Sequence, residues 1–327
     1  MNELALALYA GGRDAHAVDA GARTRDFESF VAGFDEQAEL RRLELVGIRW
    51  LGRSDTGFPP RLRSIHDPPP GLFLRGGATS ELLAEPSVAI VGARACSDYG
   101  AHVARSLGRD LARAGVVVVS GLARGIDGCA HRGCLEVGGR TIAILGCGID
   151  RDYPRAHAGL ARDVATNGLV VSEYPPGVAP APWRFPARNR IVAGLALAAV
   201  VVEARERSGA LITADLALEE GREVLAVPGE ITTTLAKGTN ALLRLGAVPV
   251  TCVEDVLESI GLEPPEQPEL AAPSPEAAQV LAAVDGGAST VDQLARATGL
   301  SPGAVAGILV ELELGGVVEV TAGIVRR

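Results

Sequence analysis

Short runs rich in valine and isoleucine alternate with helix-patterned segments through the middle of the chain, and this alternation constrains the fold more than any other feature. The runs lie at residues 87–94, 116–121, 141–146, 169–174, 199–204, 223–229 and, more weakly, 247–251. Strands that are apolar along their whole length are buried on both faces, as in a parallel sheet covered by helices. The pattern therefore predicts an α/β fold with a doubly wound, mainly parallel, Rossmann-like sheet.

The segments that follow these runs bring cations to one edge of the predicted sheet, where ligands of such folds bind. The cations are Arg94, Arg124, Arg151, Arg155, Arg184, Arg188, Arg190, Arg205, Arg207 and Lys237. Small and hydroxyl residues of the same loops allow a backbone to approach a phosphate closely, among them Ser97, Gly121, Gly125, Ser208, Gly209 and Thr213. Four acids share the edge, namely Asp127, Asp150, Asp152 and Glu206. The loop composition predicts a phosphate-binding edge of mixed charge.

The segment RFPARNRIVAGLA, residues 184–196, holds the densest group of these arginines. Arg184, Arg188 and Arg190 surround Phe185 and Asn189 where a loop gives way to a helical pattern. Guanidinium groups can fork onto phosphates, and an aromatic ring can stack on a base. We interpret the segment as one wall of a site for single-stranded nucleic acid. A solvated loop, and a Phe185 that packs in the core, are the alternatives.

The net charge of −9 is distributed unevenly along the chain. Residues 87–262 carry 18 acidic and 18 basic side chains, whereas residues 263–327 carry 9 acidic and 3 basic ones. The predicted sheet region is therefore the most basic portion of an acidic protein. Because the local charge matters more than the sum, a nucleic-acid ligand is not excluded.

Motifs of several other protein classes are missing from the sequence. The first run ends in VGARACSDYG rather than GxGxxG, and no GxxxxGK[ST] is present, which disfavours dinucleotide enzymes and P-loop ATPases. The five cysteines form no CxxC pair, so we expect neither a metal site nor a disulfide framework. No apolar run reaches about 18 residues and no leader pattern begins the chain, so we expect a cytoplasmic protein without a membrane span.

Candidate catalytic groups are few. Glu173 and Glu203 end strands and could act as general bases, but a structural role as arginine partners is the stronger interpretation. His131 is expected to make a structural hydrogen bond near Asp127. We identify no Ser–His–acid or Cys–His set.

The sequence divides into four regions: a poorly patterned N-terminal segment (1–50), a sheet domain (51–262), a Pro/Glu-rich linker (263–275) and a winged-helix-like domain (276–327). In the N-terminal segment a single helix is expected at residues 29–47. The proline-rich residues 56–76 are expected to form an extended segment leading into the first strand. At the position of a recognition helix, residues 302–314 contain Glu311 and Glu313 but no arginine or lysine, which favours a protein contact or a packing role over DNA.

Taken together, the motifs resemble the DNA-processing protein A (DprA/Smf) family, in order, over residues 50–260. They are VGARACSDYG, SGLARGIDGCAH, TIAILGCGIDRDYPRAH, SEYPPG, FPARNRIVAGLA, VVVEARERSGALITADLALEEGREVLAVPG and KGTNALLRLGA. The resemblance implies a non-enzymatic, cofactor-free protein that binds single-stranded DNA in a basic pocket of an extended Rossmann fold. It also implies a homodimer that loads a RecA-type recombinase onto the strand during natural transformation.

The resemblance also implies roles for individual residues. Arg94 and Arg155 would contact phosphates, and Phe185 would stack on a base. The wall beside Phe185 would be completed by Arg188, Asn189 and Arg190, and the turn nearest the DNA backbone would be shaped by Ser208, Gly209 and Thr213. Further candidates from the same loops are Ser97, Gly121, Arg124, Gly125, Arg184 and Lys237.

An enzyme is the main alternative. Nucleotide phosphoribohydrolases of the lysine decarboxylase-like group have a related fold and carry a PGGxGTxxE motif, whereas the comparable place here reads VPGEITTT. A nucleotide-sensing module is a further alternative. Such a module would bind a mononucleotide as tightly as an oligonucleotide.

Overall fold

A computed structural model describes residues 2–11, 25–263, 274–314, 317–321 and 323–326. The chain forms two compact units, Met1–Pro265 and Glu266–Arg327. The sequence predicts four regions rather than two units, and this finer division of the chain stays a prediction. Most of its linker lies outside the described residues, and a strand at Arg49–Gly52 crosses its first boundary.

The first unit is built on a sheet of nine strands within the described residues. They are β1 (Arg49–Gly52), β2 (Gly71–Arg75), β3 (Ser87–Val91), β4 (Val117–Ser120), β5 (Thr141–Ile144), β6 (Leu169–Ser172), β7 (Ala198–Val201), β8 (Glu223–Ala226) and β9 (Val248–Pro249). Their spatial order is β1-β2-β6-β5-β4-β3-β7-β8-β9. Strands β3 to β9 pair in parallel, and only the β1–β2 and β2–β6 pairs are antiparallel. The predicted mainly parallel α/β sheet is confirmed.

Helices cover both faces of this sheet. They are α1 (Glu3–Ala10), α2 (Arg25–Ala32), α3 (Glu36–Leu45), α4 (Pro60–Arg63), α5 (Asp98–Arg113), α6 (Ile126–Glu136), α7 (Ala158–Asn167), α8 (Arg184–Leu195), α9 (Gly209–Glu219), α10 (Lys237–Arg244) and α11 (Val253–Ser259), with short 3-10 turns at Ser80–Leu83 and Arg155–His157. None of the helices in the described portion of the chain is long and apolar enough to cross a membrane.

Alternate side chains of each strand enter different cores, which explains why the strand sequences are apolar throughout. In β3, Ala89 and Val91 pack with α8 and α9, whereas Val88 and Ile90 pack with α5, α6 and α11 on the opposite face. A third core on that opposite face joins α1, α3 and α7 to the half of the sheet around β5 and β6. Each fully buried valine or isoleucine contributes roughly 1.5–3 kcal/mol of transfer free energy.

The N-terminal region differs from the sequence prediction in two places. Residues 29–47 belong to two helices, α2 and α3, because the chain breaks at Gly33 and Asp35 then caps α3 by accepting a hydrogen bond from the Ala38 N–H at 2.9 Å. The proline-rich segment is not simply extended, since it contains α4 and strand β2. Strand β2 lies between β1 and β6 and buries Phe73 against the ring of Trp50.

The second unit has the predicted helix, helix–turn–helix and hairpin of a winged helix. Its elements are α12 (Pro275–Asp285), α13 (Val291–Thr298), α14 (Pro302–Leu314), β10 (Glu319–Thr321) and β11 (Ile324–Arg326). Val280, Leu294, Val305 and Leu309 form the centre of its own core. Gly299 ends α13 in the left-handed conformation that the tight turn requires.

The strand order creates a crevice between β3 and β7. From β3 the chain winds through β4, β5 and β6 in one direction, and then returns to place β7 on the other side of β3. The loops that leave β3 and β7 therefore diverge to opposite faces of the sheet. Such a switch point, at the carboxyl ends of the strands, is where open α/β sheets bind ligands.

Helices α5 and α6 touch backbone to backbone at Gly133, and this contact generates a stability prediction. A Cβ at Gly133 would lie 1.8 Å from the carbonyl oxygen of Arg105, so a side chain there must separate the helices. We expect Gly133→Ala to lower the free energy of unfolding by about 1–3 kcal/mol or more in urea denaturation. Gly159→Ala in α7 is the matched control, because nothing lies within 4 Å of the added Cβ. Equal effects of the two substitutions would contradict the assigned packing.

Candidate nucleic-acid interface

A cleft of about 570 Å³ opens at the switch point between β3 and β7. Seven of the predicted site residues line it: Arg94, Phe185, Arg188, Asn189, Ser208, Gly209 and Thr213. The cleft is therefore formed by the β3 loop, the start of α8 and the start of α9. Two further lining residues are Arg205, on the loop after β7, and Asp127, in the first turn of α6, and neither was selected from the sequence as a binding residue.

Arg94 and Phe185 stand together at the cleft. Arg94 is exposed, and its guanidinium carbon lies 5.3 Å from the centre of the Phe185 ring. The ring also packs against Gly146, where a Cβ would lie 2.9 Å from the Phe185 ring carbon Cδ1. Phe185 also stacks on Tyr153, with the ring centres 5.4 Å apart. Phe185 is half-buried, so it packs against the protein and also presents part of its ring to the cleft. Neither alternative from the sequence, a ring that stacks on a base or a core residue, describes this position alone.

The N-terminus of α9 supplies backbone donors to the cleft. Ser208 is the N-cap residue, but its side chain does not cap the helix, and its buried Oγ has no hydrogen-bond partner among the described residues. The first N–H groups of a helix lack intrahelical acceptors and carry partial positive charge. Since Ser208, Gly209 and Ala210 all line the cleft, these donors lie at its wall. This arrangement suits an anion such as a phosphate.

Ser97 anchors the β3 loop and does not line the cleft. It caps α5 by accepting a hydrogen bond from the Gly100 N–H at 3.0 Å. Its own backbone N–H and hydroxyl both donate to the carboxylate of Glu203, which follows β7. The prediction of an arginine partner for Glu203 is wrong, because the carboxylate instead ties the β3 loop to the β7 loop. Ser97 holds Arg94 in place through this link.

Arg188 forms the floor of the cleft and is buried. Its guanidinium donates to the carbonyl oxygens of Gly121, at 2.8 Å, and Ile144. Asp127 accepts hydrogen bonds from the N–H groups of Gly121 and Ala123, at 3.1 and 3.2 Å. Burial raises the pKa of Asp127 and lowers that of Arg188, and the opposite charge of each group counteracts the shift of the other. The two side chains carry opposite charges in the protein interior, and both hydrogen-bond to the backbone of Gly121 at the end of β4.

Arg190 and Arg184 also point into the protein. Arg190 donates to both carboxylate oxygens of Glu173, at 3.0 and 2.7 Å, and to Asp67 at 2.9 Å. Burial lowers the pKa of Arg190, but these two carboxylates outweigh it and raise the pKa. Arg184 donates to the Ala179 carbonyl and lies over the rings of Tyr174 and Trp183. The expectation that Glu173 binds an arginine is confirmed, and these arginines are placed to hold the loop before α8.

The remaining predicted residues surround the cleft without lining it. Gly125 adopts a left-handed φ of 75° and lies so close to the β3 loop that a Cβ would meet the Ala93 carbonyl oxygen at 2.2 Å. Three exposed cations remain: Arg124 on the loop after β4, Arg155 in the 3-10 turn after β5, and Lys237 at the start of α10. Contact of any of the predicted residues with DNA stays a prediction.

The structural hydrogen bond predicted for His131 is confirmed, and its partner is Thr141. Its Nδ1 lies 2.7 Å from the hydroxyl oxygen of Thr141, which itself donates to the Val118 carbonyl. Burial, together with nearby positive groups, lowers the pKa of His131 to about 3, so the ring is neutral. Across the portion of the chain that the structure describes, no group of three or more His, Cys, Asp or Glu side chains could hold a metal ion.

Comparison with known proteins identifies the family. The model of the DNA recombination-mediator protein A family matches residues 49–261, and that of the DprA winged helix domain matches residues 263–323. The chain belongs to the DNA-processing protein A family. The resemblance seen in the sequence is thereby confirmed, together with the winged helix that this family's domain model describes.

Relatives within the DNA-processing protein A family cover most of the chain. The putative DNA processing protein DprA of Mycobacterium tuberculosis is 44% identical over 276 residues, which are 82% of this chain and 71% of that protein. The X-ray structure of Streptococcus pneumoniae DprA aligns with a TM-score of 0.65 at 40% identity, covering 77% of this chain and 84% of that chain. The structure of Helicobacter pylori DprA, which concerns its single-stranded DNA binding mode, aligns with a TM-score of 0.57 at 31% identity, covering 62% and 92%.

The inward position of Arg190 predicts that its loss damages stability. Removing its guanidinium leaves the Glu173 carboxylate, whose side chain is 4% exposed, without its charged partner. We expect Arg190→Leu to lower the free energy of unfolding by about 3–5 kcal/mol, measured by thermal or urea unfolding without DNA. Arg155→Leu, at an exposed position, should change it by less than about 0.5 kcal/mol. A stable Arg190→Leu protein would show that the ion pair does not hold the loop.

Proposed function

We propose that this protein binds single-stranded DNA across the carboxyl edge of its sheet. The observation that carries the proposal is the cleft between β3 and β7. At this cleft lie exposed Arg94, the Phe185 ring and the first turn of helix α9, which has no side-chain cap. A cation, a row of backbone donors and an aromatic surface are the components that proteins use to hold unpaired strands. The family relationship to H. pylori DprA, whose structure concerns single-stranded DNA binding, supports the same ligand.

The phosphate side of the proposed site consists of Arg94, Arg205 and the first turn of α9. Both arginines are exposed at the cleft, and they stand on the loops that leave β3 and β7. A phosphate bound between them would accept hydrogen bonds from the first N–H groups of α9. These contacts do not depend on the base, so they would serve any DNA sequence.

The aromatic side of the proposed site favours a single strand over a duplex. Phe185 can meet a base only if the face of that base is free, and bases in a duplex are stacked on their neighbours. The general test is fluorescence anisotropy with a single strand and a duplex of equal length. Preference for the single strand supports the proposal, and equal affinity for both counts against it.

The salt dependence of binding should identify Arg94 as a phosphate contact. Each phosphate neutralised on a single strand contributes a slope of about −0.7 in a plot of log affinity against log salt. We expect Arg94→Ala to weaken binding to all single strands. The slope should become less steep by about 0.7, the contribution of one phosphate. Arg113→Ala, exposed at the far end of α5, is the matched control and should leave the slope unchanged. An unchanged slope for Arg94→Ala would remove Arg94 from the phosphate site.

Deletion of residues 263–327 should leave most of the single-strand affinity intact. That segment carries 9 acidic and 3 basic residues, and Glu311 on α14 is exposed where a DNA-reading helix would carry cations. The first unit has cores of its own, so the shortened chain keeps the cleft. Anisotropy titrations of the two proteins provide the comparison. A large loss of affinity in a folded truncated protein would place the main DNA contact in the winged helix.

We further propose the role that the family resemblance implies, a non-enzymatic mediator that loads a RecA-type recombinase onto single-stranded DNA in natural transformation. The expected setting is the cytoplasm, and the expected state is a homodimer. Exposed apolar side chains near the β8–β9 end of the sheet, Ile231 at 90% and Leu245 at 85%, are consistent with a subunit contact. Light scattering on wild-type and Leu245→Asp protein tests the dimer, and recombinase filament assembly on coated single strands tests the loading.

The alternative enzyme activity has a direct assay. A phosphoribohydrolase would release the base from a nucleoside monophosphate, and a nucleotide sensor would bind that monophosphate as tightly as an oligonucleotide. The segment VPGEITTT does not carry the motif of those hydrolases. We expect no base release and weak mononucleotide binding.

A further inference from the structure

One cationic and two aromatic side chains form a row of contacts at the edge of the sheet. The row consists of Arg94, Phe185 and Tyr153, and we call it the column. The guanidinium carbon of Arg94 lies 5.3 Å from the centre of the Phe185 ring, and Phe185 stacks on Tyr153 at 5.4 Å with an angle of 28° between the rings. The Phe185 ring therefore already contacts Arg94 and Tyr153, in addition to Gly146. Tyr153 is the outer member of the column, and 43% of its surface is exposed.

The outer end of the column, Tyr153, lies outside the cleft. Phe185 packs on Gly146 immediately after β5, and Tyr153 lies on the loop that follows the same strand. The cleft itself lies at β3 and β7, and β4 separates β3 from β5 in the sheet. Tyr153 thus stands beyond the cleft boundary. Exposed Arg155 follows it by two residues, so a cation accompanies the outer ring.

We propose that Tyr153 is a base-stacking platform on which a single strand continues after it leaves the cleft. The inference rests on the proposed function, and it assigns to Tyr153 a contact outside the cleft. Stacking against Phe185 orients the ring before DNA arrives, so little side-chain entropy is lost on binding. A tyrosine ring suits a half-exposed platform, because its face is apolar while its hydroxyl can stay in water. Phe185 then acts both as a wall of the cleft and as the support of Tyr153.

The test pairs a substitution at Tyr153 with removal of the bases from the strand. Wild-type and Tyr153→Leu proteins are titrated with an oligothymidine of roughly 15 nucleotides and with an abasic strand of the same length. We expect Tyr153→Leu to lose about 5- to 100-fold in affinity for oligothymidine, the equivalent of one stacked base, and to match the wild type on the abasic strand. Tyr153→Trp should restore the affinity. The salt slope should not change, since no phosphate contact is removed.

Tyr99→Leu is the matched control, because Tyr99 is 53% exposed and does not belong to the column. It should bind both strands as the wild type does. An equal loss on both strands for Tyr153→Leu would assign Tyr153 to supporting the loop and overturn the platform. An unchanged affinity for oligothymidine would overturn it as well.

A measurement on the unaltered protein covers the case in which Tyr153→Leu does not fold. Light-induced cross-linking with a strand containing 5-iodouracil joins the base to an aromatic ring stacked on it, and mass spectrometry locates the bond. A cross-link at Tyr153 supports the proposal, and cross-links confined to other residues contradict it. A wild-type protein that binds no single strand would instead refute the proposed function.

Discussion

A buried pair of opposite charges, Arg188 and Asp127, determines the form of the candidate site because each charge is held by backbone groups of the surrounding loops. Arg188 reaches from α8 to carbonyl oxygens at the ends of β4 and β5, and Asp127 fixes the loop between β4 and α6. A buried charge is tolerated only where its partner and its remaining hydrogen bonds are in place. The loops around the cleft must therefore adopt one mutual arrangement for the pair to form. Phe185, one turn before Arg188 on the same helix, is positioned by this requirement.

The parallel strands could be predicted from sequence because burial on both faces leaves a continuous apolar run. Strand β2 could not, because it lies at the antiparallel side of the sheet and follows three consecutive prolines that suggest an extended segment. Its pairing with β1 and with β6, the latter far along the chain, identifies it as a strand. The division between α2 and α3 had local signals, Gly33 and the capping residue Asp35, inside a stretch that otherwise has helical spacing.

The location of the candidate site could be predicted from the sequence, but the contacts of its side chains could not. Sequence shows that arginines gather at the strand ends, but it does not show which of them meet carboxylates. Arg190 is bound by Asp67, which lies 123 residues earlier in the chain, and by Glu173 on a different loop. No local pattern reports such a pairing. Among the aromatic residues of these loops that could stack on a base, Tyr153 is singled out by its contact with Phe185.

The arginines at this edge of the sheet fall into two groups, buried and exposed. Salt should affect the interactions of the two groups differently. Dissolved ions screen exposed charges strongly over distances beyond about 8–10 Å at moderate ionic strength, but they screen buried pairs much less. Salt should therefore weaken the attraction of Arg94, Arg124 and Arg155 for an anion, while the buried hydrogen bonds of Arg188 and the buried ion pairs of Arg190 persist. A rise in ionic strength would thus release an anion from this edge of the sheet without changing the geometry of the edge.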